Sequence, residues 1–137
     1  MSAVEPASLR DLMPLAVLLG IELLEASADL VRGRMDWAPE RCTAGGLLHG
    51  GATMALADSC GGALALLSLP PRASGTATIE SKTNFLRGVR DGALTATSRP
   101  LHRGRTLIVI ETELARDDGK LAAKVTQTQA FHYPEAA

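Results

Sequence analysis

The longest apolar segment of the chain covers residues 49–69, HGGATMALADSCGGALALLSL, and it predicts a helix. Its apolar positions leave no polar stripe, and a helix that is apolar all round is buried all round. Because Pro70 and Pro71 must end it, the helix covers residues 50–67 and is roughly 26 Å long, about the width of a small domain. We therefore expect this helix at the centre of the fold.

Four strand-like segments follow the helix in quick succession, over residues 76–86, 93–101, 105–115 and 121–131. The links between them are short and rich in turn residues: Arg90-Asp91-Gly92, His102-Arg103-Gly104 and Asp117-Asp118-Gly119. Asp-Gly between alternating segments is a strong hairpin signal. The pattern therefore predicts an antiparallel meander of four strands.

The chain before the helix is predicted to contain short helices and one long strand. Ser8, followed three residues later by Asp11, is typical of a helix cap, and a further turn or two follows Pro14. Residues 21–37 alternate like a strand but change phase partway, which indicates a bulge or a bend. Together these elements predict an α+β fold in which an antiparallel sheet wraps around one buried helix.

Length and composition predict a single domain over residues 1–137, since 46% hydrophobic and 21% charged residues are near the globular average. The net charge of −1 leaves no basic excess for a nucleic-acid partner. One Trp, one Tyr and two Phe are the only aromatic residues, so the core must consist of aliphatic residues and alanine. A small core of this kind often gains stability by oligomerising.

The sequence favours a cytoplasmic location. Residues 1–12 lack the basic and apolar regions of a signal peptide, and polar residues and glycines interrupt the apolar helix, which excludes an ordinary membrane span. Cys42 and Cys60 match neither a metal-site spacing nor a disulfide framework, and the three histidines are scattered. We expect reduced thiols, no metal and no membrane partner.

Asp58 is the unusual residue of the predicted helix, because a carboxylate in an apolar segment is costly unless it is paired or takes part in chemistry. The alternative is that Asp58 lies on a helix face that meets solvent or a backbone donor. His49, Gly50 and Gly51 stand where the helix starts, so a ligand could approach the backbone and the first N–H groups could bind an oxyanion. The alternative there is a tight loop in which His49 satisfies a hydrogen bond.

The motif L-L-H-G-G-A-T-M-A-L-A-D-S, residues 47–59, resembles the signature of hotdog-fold acyl-CoA thioesterases of the PaaI-like group. The similarity continues in T-A-T-I-E-S-K-T-N-F-L-R from Thr76, P-L-H-R-G-R from Pro100 and D-G-K-L-A-A from Asp118, so it covers nearly the whole chain. The resemblance implies the hotdog fold, in which an antiparallel sheet wraps around a long central helix. It also implies a homodimer and, beyond it, a homotetramer.

The resemblance implies catalytic roles for residues at matching positions. Asp58 would attack the thioester or activate a water, and the Gly50 N–H would polarise the thioester oxygen while His49 holds that turn. Thr78 would steady the water or the carboxylate. Many relatives carry Asn or Gln where this chain has Thr43, whose hydroxyl can orient water but cannot replace an amide's donor and acceptor.

Substrate-binding roles follow from the same resemblance. Gly51 and the apolar side chains of Met54, Leu56 and Phe85 are expected to line the acyl pocket, which would suit aryl or medium-chain aliphatic groups. The turn of Arg103, Gly104 and Arg105 resembles the contact with the phosphates of coenzyme A, the alternative being an ordinary solvated turn. One branch of the family carries Ser or Thr at the position of Gly62.

The spacing between Gly50 and Asp58 favours a shared site. Eight residues of helix separate them by roughly 12 Å, whereas reacting atoms must approach to about 3–3.5 Å. A carbonyl bound at Gly50 is therefore out of reach of Asp58 in the same chain. The two-fold dimer that the resemblance implies would solve this, because it places one helix start beside the partner's acid.

These features together predict an acyl-CoA thioesterase that needs no cofactor, because coenzyme A enters as part of the substrate. One alternative is a hotdog hydratase or dehydratase acting on acyl-CoA or acyl-carrier protein, although Asp58 lacks an evident histidine partner. The other is an acyl-CoA-binding protein without catalysis, which would not need the acid.

Overall fold

A computed structural model describes residues 4–135, and its main element is one antiparallel sheet of six strands. In chain order the strands are β1 (Glu22–Ala26), β2 (Val31–Asp36), β3 (Gly75–Phe85), β4 (Ala93–Arg103), β5 (Leu107–Arg116) and β6 (Leu121–His132). Their order across the sheet is β1-β2-β4-β5-β6-β3, so β1 and β3 are the edges. The described residues also form three α-helices, α1 (Pro6–Asp11), α2 (Pro14–Leu18) and α3 (Gly50–Leu67), and two short 3₁₀ helices, Pro39–Arg41 and Ala44–Gly46.

The core lies between α3 and one face of the sheet. Alternate residues of the central strands point towards the helix, as the period of a strand requires. The fully buried side chains are aliphatic for the most part and include Ile21, Val31, Met35, Leu56, Leu64, Leu94, Ile108, Ile110, Leu114 and Val125. Phe131 is the only aromatic side chain among the buried residues of the described chain, which confirms the prediction of an aliphatic core.

Helix α3 has the predicted bounds but is not buried all round. Met54, Asp58 and Leu66 are exposed and recur at multiples of four residues, so they form one open face. The prediction of burial on every side is wrong for the single chain, because one sheet covers only one side of a helix. By length and composition α3 could cross a membrane, yet half of it is buried against the chain's own elements, as in a core helix.

Residues 21–37 form a hairpin, so the prediction of one long strand is wrong. The Ser27 side chain makes the turn between β1 and β2, since its Oγ accepts the N–H groups of Asp29 and Leu30. The predicted bulge is present within β1, where the pairing with β2 shifts between Leu23 and Glu25. The change of phase in the sequence reflected both the bulge and the turn.

The predicted meander is confirmed for β4, β5 and β6 but is wrong for β3. Strand β3 pairs with β6 at the edge of the sheet, while β4 pairs with β2 and β5. The link with Arg90-Asp91-Gly92 is therefore a crossing connection rather than a hairpin, and buried Val89 anchors it to the core. This crossing places β3 beside the open face of α3.

The two N-terminal helices pack against each other, with α1 also against strand β1 and α2 against α3. Helix α1 begins at Pro6 after Glu5, and Glu5 makes no side-chain cap, so the prediction that Ser8 caps the helix is wrong. Proline fits the first helical position because its missing N–H would be unpaired there in any case. Buried Leu9 and Ala16 hold this segment in place.

Candidate active site

Asp58 lies on the open face of α3, beside the edge strand β3. Its Oδ1 accepts hydrogen bonds from Thr78 Oγ1 at 2.7 Å and from Gln127 Nε2 at 3.2 Å. Within residues 4–135, Asp58 Oδ2 has no hydrogen-bond partner. The carboxylate is thus anchored by one oxygen and presents the other. Asp58 therefore lies on a helix face that meets solvent, as the alternative interpretation from the sequence expected. The groups that donate hydrogen bonds to it are side chains rather than backbone N–H groups.

A chain of hydrogen bonds extends from this carboxylate into the sheet. Gln129 Nε2 donates to Thr78 Oγ1 at 2.5 Å, and Thr76 Oγ1 donates to Gln129 Oε1 at 3.1 Å. Because every donor in this chain points towards Asp58, the arrangement matches an ionised carboxylate, which can only accept. The network therefore fixes the position of the acid.

Glycine at residue 61 leaves the space through which Gln127 of β6 reaches Asp58. An ideal Cβ at Gly61 would lie 1.9 Å from Gln127 Oε1, so only glycine leaves room for the amide at this point of α3. Gln127 is fully buried and Gln129 is 1% exposed, both on the inner face of β6. Buried amides of this kind are costly unless hydrogen-bonded, and here both are bonded.

Gln127, Gln129 and Thr76 were missed by the sequence interpretation. A signal was present in β6, where Ala123, Val125 and Phe131 occupy the inward positions and the two glutamines continue the same alternation. Polar residues at core positions of a strand are uncommon and often functional. Their partner on α3 could not be read from the sequence, because the register of β6 against the helix is a tertiary property.

His49 is the N-cap residue of α3. Its Nδ1 accepts the Gly51 N–H at 2.7 Å, so the imidazole caps the helix and must be unprotonated at that nitrogen. His49 thus makes the hydrogen bond that the alternative interpretation expected, but it does so at a helix start rather than in a tight loop. Within the described chain the Gly50 N–H has no partner, so it remains available to an oxyanion at the positive end of the helix.

Gly50 lines a cavity of about 360 Å³. Thr43 and Phe85 line the same cavity, so the structure brings three of the predicted site residues together. An ideal Cβ at Gly50 would lie 3.1 Å from Phe85 Cζ, which leaves little room for a side chain there.

Asp58 borders a different and larger cavity, of about 500 Å³. Thr78 and Gln129 form its polar side, and Leu66 and residues of the N-terminal segment form its apolar side. Gly50 does not line this cavity, and Asp58 does not line that of Gly50. One chain therefore holds the acid and the proposed oxyanion donor apart, as the helix spacing predicts.

The residues expected to line one acyl pocket do not lie together in the single chain. Met54 is 37% exposed on the open face of α3, whereas Leu56 is fully buried in the core, so the expectation that Leu56 lines the pocket is wrong. Gly51 lines a small cavity with His49 and Ala55 at the other side of the helix start.

The arginine turn lines neither the Asp58 cavity nor the Gly50 cavity. Arg103 Nη2 donates to the Ala28 carbonyl and, at 2.8 Å, to Asp29 Oδ1, so this guanidinium holds the β1–β2 turn. The Arg105 side chain has no hydrogen bond or ion pair within residues 4–135, and Gly104 donates its N–H to the Leu107 carbonyl. Of the two arginines, Arg105 is the one available to a ligand.

Among residues 4–135, Asp58 is the only Asp, Glu, Lys, Arg or His residue that lines its cavity. No histidine donates to or accepts from Asp58 in the described part of the chain, so the pair that a dehydratase needs is not formed there. Among residues 4–135, no three His, Cys, Asp or Glu side chains are grouped so that they could hold a metal ion.

Known proteins resemble this chain in sequence. The Thioesterase superfamily matches residues 45–123. A candidate esterase of Pseudomonas aeruginosa, PA1618, is 40% identical over 85 residues, which are 62% of this chain and 59% of that protein. A candidate esterase of Deinococcus radiodurans is 34% identical over 102 residues, 74% of this chain and 64% of that protein. The chain thus aligns with less than two thirds of the length of these relatives.

Solved structures resemble the chain over more of its length. A mutant of the thioesterase PA1618 has a TM-score of 0.89 at 30% identity and covers 96% of both chains. Thioesterase HI1161 from Haemophilus influenzae has a TM-score of 0.88 at 25% identity, with 96% of this chain and 93% of that chain covered. The PaaI protein of Escherichia coli shares the fold, with a TM-score of 0.81 at 20% identity over 96% and 91% of the two chains. With a family match over more than half of its length, the chain belongs to the Thioesterase superfamily and has the hotdog fold.

Proposed function

We propose that the protein hydrolyses acyl-CoA thioesters to a free acid and coenzyme A. The observation that carries the proposal is the Asp58 carboxylate: Thr78 and Gln127 hold it through Oδ1, Gln129 supports Thr78, and Asp58 lines the cavity of about 500 Å³. Membership of the Thioesterase superfamily supports the reaction class. A protein that only binds acyl-CoA would not need a buried network aimed at one exposed carboxylate.

The chemistry passes through Asp58 Oδ2. Either Oδ2 takes a proton from a water whose oxygen attacks the thioester carbon, or Oδ2 attacks that carbon itself and water then cleaves the resulting anhydride. In both routes the C–S bond breaks, and the thiolate of coenzyme A leaves and takes up a proton. The oxyanion that forms on the carbonyl oxygen needs a donor, and one such donor is worth about 10²–10³-fold in kcat.

A second copy of the chain would supply that donor. Gly50 and Asp58 lie at different cavities of one chain, so the Gly50 N–H of one protomer would meet Asp58 of its partner across a two-fold axis. The open face of α3, with Met54 and Leu66 exposed beside Asp58, supports this arrangement because an exposed apolar face favours association. The assembly is then a homodimer or a homotetramer built from such dimers.

Coenzyme A would be held outside the two cavities. Arg105 supplies an unpaired guanidinium for a phosphate group, whereas Arg103 must first release Asp29. Thr43 lies in the Gly50 cavity, where its hydroxyl would orient the water or the thioester carbonyl.

The test is release of free thiol from a panel of aryl and aliphatic acyl-CoAs. Asp58→Asn keeps the size of the side chain and an oxygen that Thr78 can bond, but it removes the charge. We expect kcat to fall by at least about 10²-fold while the fold persists. The matched control is Glu113→Gln, the same chemical change on an exposed residue of β5 that lines neither cavity. Near-normal turnover in Asp58→Asn would contradict the role of Asp58, and no release from any acyl-CoA would favour a binding protein.

A further inference from the structure

Gly62 stands out among the helix glycines because no packing contact requires it. Its position is one helical turn after Asp58, and it lines the cavity of about 500 Å³. An ideal Cβ at Gly62 would meet no atom within 4 Å, in contrast with the 1.9 Å found at Gly61. Since glycine inside a helix lowers stability relative to alanine, no contact within the single chain offsets that loss of stability here. What Gly62 provides is open space beside Asp58.

Opposite the polar side formed by Thr78 and Gln129, the wall around that space is hydrocarbon. Leu66 continues the same helix face one turn further on, and Leu12, Met13 and Leu15 of the N-terminal segment lie across the cavity. Within residues 4–135 no Lys, Arg or His lines the cavity, so an acyl group with its own carboxylate would be placed beside Asp58 without a counter-ion from these residues. The cavity therefore suits a neutral acyl group. Its volume lies within the usual range of ligand pockets.

We infer that Gly62 sets the depth of an acyl subsite for neutral hydrocarbon acyl groups, which run from Asp58 past Gly62 towards Leu66. This inference rests on the proposed thioester hydrolysis, because the reacting carbonyl at Asp58 fixes where the acyl chain enters. Burial of one methylene is worth about 0.8 kcal/mol, which corresponds to about fourfold in kcat/KM. Each carbon that the subsite accepts should raise kcat/KM by that factor until the cavity is full.

The experiment measures kcat/KM for straight-chain acyl-CoAs from acetyl to dodecanoyl, with wild type and Gly62→Leu. A leucine at residue 62 would project into the open space, so the optimum chain length should become shorter by roughly four carbon atoms. For the acyl-CoA that the wild type prefers, kcat/KM is divided by kcat/KM for acetyl-CoA. In Gly62→Leu this ratio should be on the order of 10²-fold lower than in the wild type. Succinyl-CoA should react far more slowly than butanoyl-CoA of the same chain length in the wild type.

A second pair of variants tests the opposite wall. Leu12→Ala removes a side chain that lines the cavity, so the optimum should move to longer acyl groups. Leu18→Ala is the matched control, because Leu18 is 78% exposed and does not line the cavity. We expect its chain-length profile to equal that of the wild type.

Circular dichroism and gel filtration establish first that the variants are folded. Should Gly62→Leu fail to fold, Gly62→Ala keeps the test valid, since its Cβ meets no atom within 4 Å, and the expected shift is then about one carbon. A folded Gly62→Leu with the wild-type profile, or equal rates for succinyl-CoA and butanoyl-CoA, would overturn the inference. A wild type that hydrolyses no acyl-CoA would overturn the proposed function instead.

Discussion

The substitution Gly61→Ala tests whether Gln127 holds Asp58 in place. The added methyl group would lie 1.9 Å from Gln127 Oε1 and 2.5 Å from its Cδ, far inside van der Waals contact. Because Gln127 is fully buried, its amide cannot move into solvent. Ordinary van der Waals contact begins at 3.4 Å, so the Gln127 amide must move by more than about 1 Å. The 3.2 Å hydrogen bond from Gln127 Nε2 to Asp58 Oδ1 is then lost.

The expected cost combines three terms. Overpacking of a core costs about 1–3 kcal/mol, and the loss of a hydrogen bond to a charged group costs about 1.5–3 kcal/mol. Alanine recovers about 0.5–1 kcal/mol of helix stability relative to glycine. We therefore expect the free energy of unfolding to fall by about 1.5–5.5 kcal/mol. Since a small displacement of a catalytic group is costly, kcat should also fall by about tenfold or more.

The assay is denaturant unfolding at fixed protein concentration, with thiol release measured in parallel. Gly62→Ala is the matched control in the same helix, and it should raise the free energy of unfolding by about 0.5–1 kcal/mol, because nothing lies within 4 Å of its Cβ. In a Gln127→Ala background the clash is gone, so Gly61→Ala should become neutral or stabilising there. A Gly61→Ala protein as stable and active as the wild type would refute the packing of Gln127 against α3.

Two further predictions concern the arginine turn and the buried thiol. Arg105→Ala should raise KM for acyl-CoA at low salt more than Arg103→Ala does, because Arg103 is paired with Asp29, and the effect should shrink as salt rises; equal KM values in steady-state kinetics would favour a solvated turn. Burial raises the pKa of the Cys60 thiol from 9.0 to about 12, so the native protein keeps a proton there that the unfolded chain releases, and stability should fall as pH rises from 9 towards 12. Alkaline unfolding curves of wild type and Cys60→Ala check this, and equal pH dependence would contradict it.

The elements that local signals define were predictable from the sequence. The apolar run ending at Pro70 predicted α3 with the bounds that the structure has, and the turn at Asp118-Gly119 predicted the β5–β6 hairpin. The position of β3 was not predictable, because its pairing with β6 joins segments far apart in the chain. Loop composition alone could not distinguish a hairpin before β4 from a crossing connection.

The residues of the candidate site were likewise predictable only in part. Asp58 and Gly50 could be found from one short motif, and the hydrogen bond from Thr78 to Asp58 agrees with the steadying role that the resemblance implied. Gln127 was missed because a polar residue at an inward strand position has meaning only once its partner is known. The reason for glycine at residue 61 became visible only with that amide in place.

Activity in mixed dimers tests the shared site most directly. One inactive parent would be Asp58→Ala, and the other would be Gly50→Val, whose added side chain must displace the Phe85 ring that lies 3.1 Å from the ideal Cβ. Gel filtration must first show that both variants are folded and dimeric. In a heterodimer, one site would receive the intact Gly50 of the first variant and the intact Asp58 of the second, whereas the other site would receive both lesions.

The measurement is thiol release by heterodimers purified with two different affinity tags. The shared site predicts that two nearly inactive parents regain up to about half of the wild-type activity per dimer, since one of the two sites is then complete. A site contained within one chain predicts no recovery, because every site would keep one lesion. Verified heterodimers without any regained activity would therefore contradict the shared site.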